Sequence, residues 1–510
     1  MKITLNDYKN KVLGCWMGKN IGGTLGAPFE WLRQINDVTF YQQDLGGDPL
    51  PNDDLDIQLI WLIAMEEKGV DIDAKLLGEY WMLLVTPHWA EYGNAKLNMR
   101  SGLVPPLSGS YSNVYKDSCG AFIRSEIWAC VAPGYPALAA KFAFEDAIID
   151  HGDGEGVYAE IFCAALESAA FIESDIQSLI DIGLSYIPAD CAIAGAVSLV
   201  RDLYANGKSW KEARDEVLRQ YRGLGLKVSP EDVEKGFADG QMGWDAPSNI
   251  GMLIIGMLYG EGDFSRSLRI IVNCGEDTDC TAATYGAIYG IVNGLDAIPA
   301  EWQKPIGRKI KTACLNLGEL GGYGSQLPQD IDELTDRTAK MMQQVFLRNR
   351  LPLVVDEGEM IIGDGDMSRS LYAPEGFNRI YDNMRGPVYR FGSFDVRVEY
   401  PDGPVIKNNI PTRVRVVVIN KGKTHEMYYL RWISPDGFQI LPGLESTAYI
   451  PLPLGSASGE NMMDFTVSTE TVPRPVNRFA LELTCQNKGS TMLIPVVLLN
   501  TTVEALPIPK

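Results

Sequence analysis

Apolar residues recur at spacings of three and four through the first two-thirds of the chain, in residues 55–65, 76–84, 137–147, 158–172, 192–204 and 251–259. That period gathers the apolar side chains of each segment on one helix face. Residues 330–348 add a polar-faced helix, which is expected to close this part. Alternation of period two is almost absent before residue 355, so the region is predicted to be all-α. Beyond residue 370 the period changes to two. Residues 394–400, 412–420, 427–433, 447–451, 465–468, 478–485 and 492–500 read as strands, with turns at Pro401-Asp402-Gly403, Asn420-Lys421-Gly422 and Pro435-Asp436-Gly437. Strands this short and this numerous predict an immunoglobulin-like β-sandwich. Residues 356–370, rich in Gly and Asp, read as a connector. The expected organisation is a large all-α domain over 1–365 and an accessory β-sandwich over 366–510.

Length agrees with that division, since 510 residues exceed one ordinary domain. The formal charge of -21 argues against a nucleic-acid or anionic-membrane partner, which needs clustered Lys and Arg. No run of 18 apolar residues occurs; the best candidate, 250–259, is too short and holds two glycines. Residues 1–14 lack the apolar core of a signal peptide. The 9 cysteines are scattered with no CxxC pair, which fits free thiols better than a disulfide framework or a zinc site. A cytoplasmic location is the expectation.

Candidate chemistry lies in two acidic runs that open helical patterns, Asn52-Asp53-Asp54-Leu55-Asp56 and Gly275-Glu276-Asp277-Thr278-Asp279-Cys280. Helix capping and the helix dipole account for one or two Asp at such a start. Three carboxylates and an amide in five residues exceed that need, and oxygen ligands favour Mg²⁺, Mn²⁺ or Ca²⁺ over zinc. Each run lies beside a row of small residues: Gly14, Gly18, Gly22 and Gly26, and Ala282, Gly286, Gly290 and Gly294. A glycine inside a helix costs up to about 1 kcal/mol relative to alanine, so close helix approach is expected to offset it. Two such helices packed on each other, or on a common neighbour, would bring the acidic runs into one region. Tight packing without a functional role explains the glycines alone equally well. Glu30 stands between Phe29 and Trp31, apolar rings of the kind that raise a carboxyl pKa toward general-acid use. His151, among Gly and Asp, suits either a ligand contact or a cap. Arg124 suits either an anionic substrate group or a pair with Glu126. The polar loop Ser108-Gly109-Ser110-Tyr111-Ser112-Asn113 could line a cleft. No GxSxG, Walker A loop or GxGxxG is present.

Gly14-Cys15-Trp16-Met17-Gly18 and Gly22-Gly23-Thr24-Leu25-Gly26-Ala27-Pro28-Phe29-Glu30 resemble the first helix and Glu loop of the ADP-ribosylglycohydrolase family. Asn52-Asp53-Asp54 falls where that family carries Thr-Asp-Asp, and Gly275 to Cys280 resembles its second signature, Gly-x-Asp-x-Asp-Thr. The resemblance spans residues 5–298. It implies an all-α fold with a binuclear Mg²⁺ or Mn²⁺ centre held by Asn52, Asp53, Asp54, Asp277, Asp279 and Cys280. It further implies that Glu30 and Asp54 manage protons, and that Arg124, His151, Ser110 and Tyr111 lie in segments lining the substrate cleft. The implied reaction is hydrolysis of a glycosidic bond at an ADP-ribosyl or related group. Hydrolysis of another glycoside or nucleoside, or non-catalytic binding of a nucleotide sugar, are the alternatives. Three departures from the family pattern stand out: Asn52 for Thr, Gly23 for a common Asp, and the soft sulfur of Cys280 for a hydroxyl.

Overall fold

The structure, a computed structural model, describes residues 2–223, 243–315, 321–356, 359–363, 367–453, 459–486, 489 and 491–500. Two compact units emerge: Met1–Lys96 with Ser112–Ile380, and Leu97–Tyr111 with Tyr381–Lys510.

The first unit is helical, as the three-and-four spacing predicts. The apolar segments become the helices Asp53–Lys68, Ala74–Leu84, Pro136–Ala147, Glu155–Ala170, Ala192–Ala205 and Ala246–Tyr259, and the polar-faced one is Ile331–Asn349. At its centre the helices Leu5–Gly26 and Thr278–Asn293 run antiparallel along their rows of small residues. A Cβ at Gly18 would lie 1.9 Å from the Gly286 carbonyl oxygen, and one at Gly22 would lie 2.0 Å from that of Ala282. A Cβ at Gly290 would likewise lie 2.0 Å from the Gly14 oxygen. Backbone therefore meets backbone, and no larger residue fits. The helices pack on each other directly. Around this seam the core is rich in indoles, with Trp16, Trp61, Trp81, Trp128 and Trp302 fully buried.

The stretch read as a connector is partly a sheet. β1 (Ile3–Thr4), β2 (Leu353–Asp356) and β3 (Glu359–Ile362) pair antiparallel in the order β1-β3-β2. Ile361 and Ile362 are buried, so the apolar centre of a Gly- and Asp-rich stretch closes on the start of the chain. Residues 357–358 and 364–366 of that stretch lie outside the described residues.

Among the described residues the second unit holds nine strands in two antiparallel sheets. One has the order β4-β5-β6-β10-β8, built from β4 (Val388–Arg390), β5 (Phe394–Glu399), β6 (Thr412–Asn420), β8 (Phe438–Leu441) and β10 (Glu460–Thr469). The other, β12-β11-β7-β9, comprises β7 (Glu426–Ile433), β9 (Glu445–Ile450), β11 (Val476–Cys485) and β12 (Thr491–Leu499). β7 alternates buried and exposed at every residue, and its inward Tyr428, Leu430 and Trp432 join Val396, Val416, Phe465 and Leu481 in one core. This is the predicted sandwich. β4 and β8, at 3 and 4 residues, are too short to display a period. All 9 cysteines are buried, and none is joined in a disulfide. Among the described residues no helix is long and apolar enough to cross a membrane.

The seam yields a direct expectation. Gly18→Ala should cost roughly 3 kcal/mol or more, because the intruding methyl faces backbone that cannot turn aside. Gly392→Ala, with nothing within 4 Å of the added carbon, should stay within about 0.5 kcal/mol of wild type. Equilibrium unfolding in urea measures both, and equal stability of the two variants would contradict a closed seam.

Candidate active site

Because the two central helices run antiparallel, the end of one meets the start of the other. The Thr278 hydroxyl donates to the Gly26 carbonyl at 2.9 Å, and a Cβ at Gly26 would lie 2.5 Å from Asp279 Cα. Glu30, four residues on, thereby arrives beside Asp277 and Asp279. The turn into the second helix places two successive residues in the left-handed region, Gly275 at φ 75° and Glu276 at φ 69°. Only Glu276 carries strain there. Its fully buried carboxylate is held by Arg33, at 3.1 Å, and by Arg222, while its carbonyl accepts from the Trp31 N–H at 2.9 Å. The Asp277 N–H donates to Asn249 Oδ1 at 3.1 Å.

The Asp53–Lys68 helix enters the same region by its N-terminus. Asn52 caps it, its side-chain oxygen accepting from the Asp54 N–H at 2.7 Å, and its amide nitrogen donates to Asp279 Oδ2 at 3.4 Å. The amide oxygen expected to offer a ligand is thus already engaged as a cap. Gly23 is what makes room: a Cβ there would lie 2.4 Å from Asn52 Nδ2. Two of the departures from the family pattern are therefore sterically linked. Cys280 donates its thiol hydrogen to Asp54 Oδ1 at 3.4 Å.

Among the described residues, two clusters could hold a cation. Asp54, Asp279 and Cys280 each present a ligand atom, all within 4.8 Å of one another, and Glu30, Asp277 and Asp279 do the same. Asp54 Oδ2, Asp277 Oδ1 and Asp279 Oδ1 are buried without a hydrogen-bond partner. Burial first, and then the neighbouring acids, push these groups upward: Glu30 to about 8 through burial, Asp279 and Asp53, and Asp53 to about 6 through burial and Asp279. Burial, with Asp279 and Glu30, also raises Asp277. Asp56, raised by burial to about 7, stands apart from this cluster, one oxygen accepting from the Ala313 and Cys314 N–H groups at 2.7 and 2.6 Å.

Above the acids lies a cavity of about 380 Å³ lined in part by Glu30, Asp53, Asp277 and Cys280. Asp54, expected to manage protons as well as to hold a metal, is 1% exposed and is absent from that lining. Arg124 and His151 sit behind the wall instead of in it. The fully buried Arg124 guanidinium donates to Asp150 through both terminal nitrogens at 2.6 and 3.1 Å, to Asp146 at 2.9 Å and to the Gly120 carbonyl at 2.5 Å. His151 is fully buried between Asp150 at 2.9 Å and the Ser118 hydroxyl at 3.1 Å. Since Ser118 and Gly120 line the cavity, these two residues brace its wall. Ser110 and Tyr111 fall in the Leu97–Tyr111 segment of the other unit and do not line it.

The rest of the lining carried no sequence signature. Trp31 meets Trp244 edge-on at 6.1 Å, and Trp89 lies 6.3 Å from Tyr92. Between the last two residues Glu91 is 7% exposed, and its Oε2 has no hydrogen-bond partner. Burial, against the pull of His151, raises it to about 7. Lys19 was also unforeseen in its role. Fully buried, it donates to Glu126 at 2.7 Å, and although burial alone would lower its pKa, Glu126 and Asp54 hold it charged. The fourfold glycine spacing pointed to the helix that carries Lys19, but not to the burial of its ammonium.

The bracing network has a pH signature. Burial would raise Asp150, but Arg124 and then His151 hold it down at about 2 from an ordinary 3.8. Its stabilising share is present in full above the unfolded value and is lost as pH falls through the folded one. That share is about 2 kcal/mol. Asp150→Asn should remove this component of acid sensitivity and cost roughly 3–5 kcal/mol near neutrality, because Arg124 loses a buried partner. Denaturant titrations between about pH 2 and 7 read both effects, and identical pH profiles for the two proteins would refute the account.

No curated protein matches the chain significantly. Two solved structures share a slight likeness to it. A FixG-related protein from Vibrio parahaemolyticus has 9% identity over 22% of this chain and 99% of that chain, with a TM-score of 0.18. The ASH/PapD-like domain 7 of human CEP192 has 12% identity over 24% of this chain and 93% of that chain, with a TM-score of 0.17. Likenesses this slight carry no argument about fold or function. The profile of the ADP-ribosylglycohydrolase family, in contrast, matches residues 4–345. That match covers both central helices, the Glu30 turn and the two acidic runs, and the chain belongs to the ADP-ribosylglycohydrolase family.

Proposed function

We propose that the chain is a metal-dependent hydrolase that cleaves a glycosidic bond at an ADP-ribosyl or related ribosyl or glycosyl group. The reading rests above all on the three buried carboxylate oxygens without partners, on Asp54, Asp277 and Asp279. Isolated buried carboxylates cost several kcal/mol each unless a proton, a donor or a cation meets them. Hard oxygen ligands suit Mg²⁺ or Mn²⁺. Glu30, Asp53, Asp54, Asp277 and Asp279 fit such ions, two of them by the spread of the acids over two clusters. Cys280 fits poorly as a ligand for either ion, and Asn52 serves as the cap that aims the Asp54 end of its helix.

Cations held there would supply Lewis-acid polarisation of substrate hydroxyls and of a water molecule. The remaining work belongs to the chain itself. Hydrolysis joins a water oxygen to the anomeric carbon, breaks the bond to the leaving atom and moves one proton from the water and one to the leaving atom. Glu30, in the cavity lining, is placed to carry a proton at one of these atoms. Glu91, also in the lining with a free oxygen, accepts a hydrogen bond from a sugar hydroxyl and orients the ring. Trp31, Trp89, Tyr92 and Trp244 form walls that exclude water and hold a flat face by stacking.

Adding EDTA should lower the melting temperature, and Mg²⁺ or Mn²⁺ should restore it. An ion at 100 times its Kd adds about 2.7 kcal/mol. In Asp277→Ala the metal-dependent shift should vanish, and hydrolysis of ADP-ribosyl conjugates, nucleosides and aryl glycosides should fall by about 100-fold or more. Thermal scans and a product assay make the measurement. A melting temperature indifferent to EDTA and to both ions would sink the metal centre, and equal turnover by wild type and variant would remove Asp277 from it.

A further inference from the structure

The cavity also speaks to the class of substrate. We infer that it selects an uncharged glycoside, held by a flat face between its aromatic walls and by a hydroxyl on Glu91, and that it disfavours a phosphate-bearing one. The inference rests on the hydrolase reading and narrows it.

Four observations converge. The acids of the lining are Glu30, Asp53, Glu91 and Asp277, and among the described lining residues none is Lys or Arg. The cations nearest the floor are committed elsewhere. Lys19 and Arg124 each expose only 1% of their side chains and are locked onto Glu126 and onto Asp146 and Asp150. Arg33 and Arg222 hold the buried Glu276. Lys19 and Arg124 cannot turn toward an incoming phosphate without leaving a buried carboxylate without its cation, and Arg33 and Arg222 would each give up half of the pairing of Glu276. Glu91 supplies the positive half of the inference. It belongs to neither of the clusters that could hold a cation, so its charge is not cancelled when the floor is filled. Its side chain, more than nine-tenths buried, is part of the cavity lining, and its Oε2 has no hydrogen-bond partner. A hydroxyl suits that carboxyl in either protonation state, whereas a phosphate is repelled by its ionised form. Gly120 leaves the room this carboxylate needs, since a Cβ there would lie 2.0 Å from Glu91 Oε1. Finally, about 380 Å³ is at the small end of ligand cavities, which run from about 300 to 1,000 Å³. That size suits a sugar with one ring-sized aglycone better than a nucleoside diphosphate sugar.

The test uses the full chain with Mn²⁺ and matched pairs of probes. These are para-nitrophenyl riboside, arabinoside, glucoside and galactoside, and adenosine, each against its phosphate ester on the primary hydroxyl, with ADP-ribose as a further charged ligand. Calorimetry gives binding and a product assay gives turnover. At least one uncharged member should bind tenfold or more tighter than its ester, and tighter than ADP-ribose. Trp244→Ala should weaken that uncharged ligand about tenfold while the metal-dependent rise in melting temperature persists, which shows that the variant is folded. Glu91→Gln, equal in size but neutral, should shrink the preference within the pair to about threefold or less, a change that a purely structural role would not produce. Charged members that bind as well as uncharged ones, or no binding of any uncharged glycoside, overturn the inference. Turnover that favours the esters overturns it while the hydrolase reading stands. Selective binding of uncharged members with no turnover supports it and removes the hydrolase reading.

Discussion

Two helices that carry almost only glycine and alanine along their facing edges can approach until backbone meets backbone, and the candidate site depends on that approach. Gly14, Gly18, Gly22 and Gly26 meet Gly290, Gly286, Ala282 and the Thr278–Asp279 start in antiparallel order. Each interior glycine forgoes up to about 1 kcal/mol of helix propensity. Close packing, and Cα–H···O contacts worth perhaps 0.5–1 kcal/mol each, offset the loss. What the seam secures in return is register. A slip of one turn would carry Asp277 and Asp279 about 5.4 Å from Glu30 and drive small residues against larger ones. The geometry of the acids is therefore set by contacts a helix-length away from them.

Burial of charge is handled in two ways around this seam. The carboxylates of Asp146, Asp150 and Glu276 are paired with Arg124, Arg33 and Arg222, so their charge is satisfied within the chain. One oxygen each of Asp54, Asp277 and Asp279 is left without a donor. Such an arrangement is costly as a structural device and useful as a binding one. Lys19 marks the boundary between the two regimes. Its ammonium, bonded to Glu126, also acts electrostatically on Asp54.

The departures at Asn52, Gly23 and Cys280 acquire a physical sense once they are seen together. Gly23 clears the space that the Asn52 amide occupies, and the Cys280 thiol serves as a donor to Asp54. One small residue and one weak donor thus accommodate an altered helix cap without displacing the aspartates. Asp277 and Asp279 each present a ligand atom within 4.8 Å of one on Glu30.

Much of this was legible in the sequence because it is local. Helices and strands announce themselves by period, the acidic runs by crowding, and the seam by glycine every fourth residue. The family resemblance drew on the same residues. Contacts between distant segments left no such mark. Nothing in the neighbourhood of Arg124 or His151 shows that Asp146 and Asp150 would take them up behind the wall, since that depends on how separate helices pack. Ser110 and Tyr111 look like cleft residues from their polarity, yet their segment belongs to the other unit. Strands as short as β4 and β8 cannot display a period, and β3 is recognisable only through its partners. Trp89, Glu91, Tyr92 and Trp244 lack any motif, because a cavity wall needs only that suitable side chains converge, in whatever order the chain delivers them. Sequence alone singled out the acidic groups that the fold gathers at the floor of the cavity. Tertiary structure decided which of the remaining charges are spent on one another and which face the cavity.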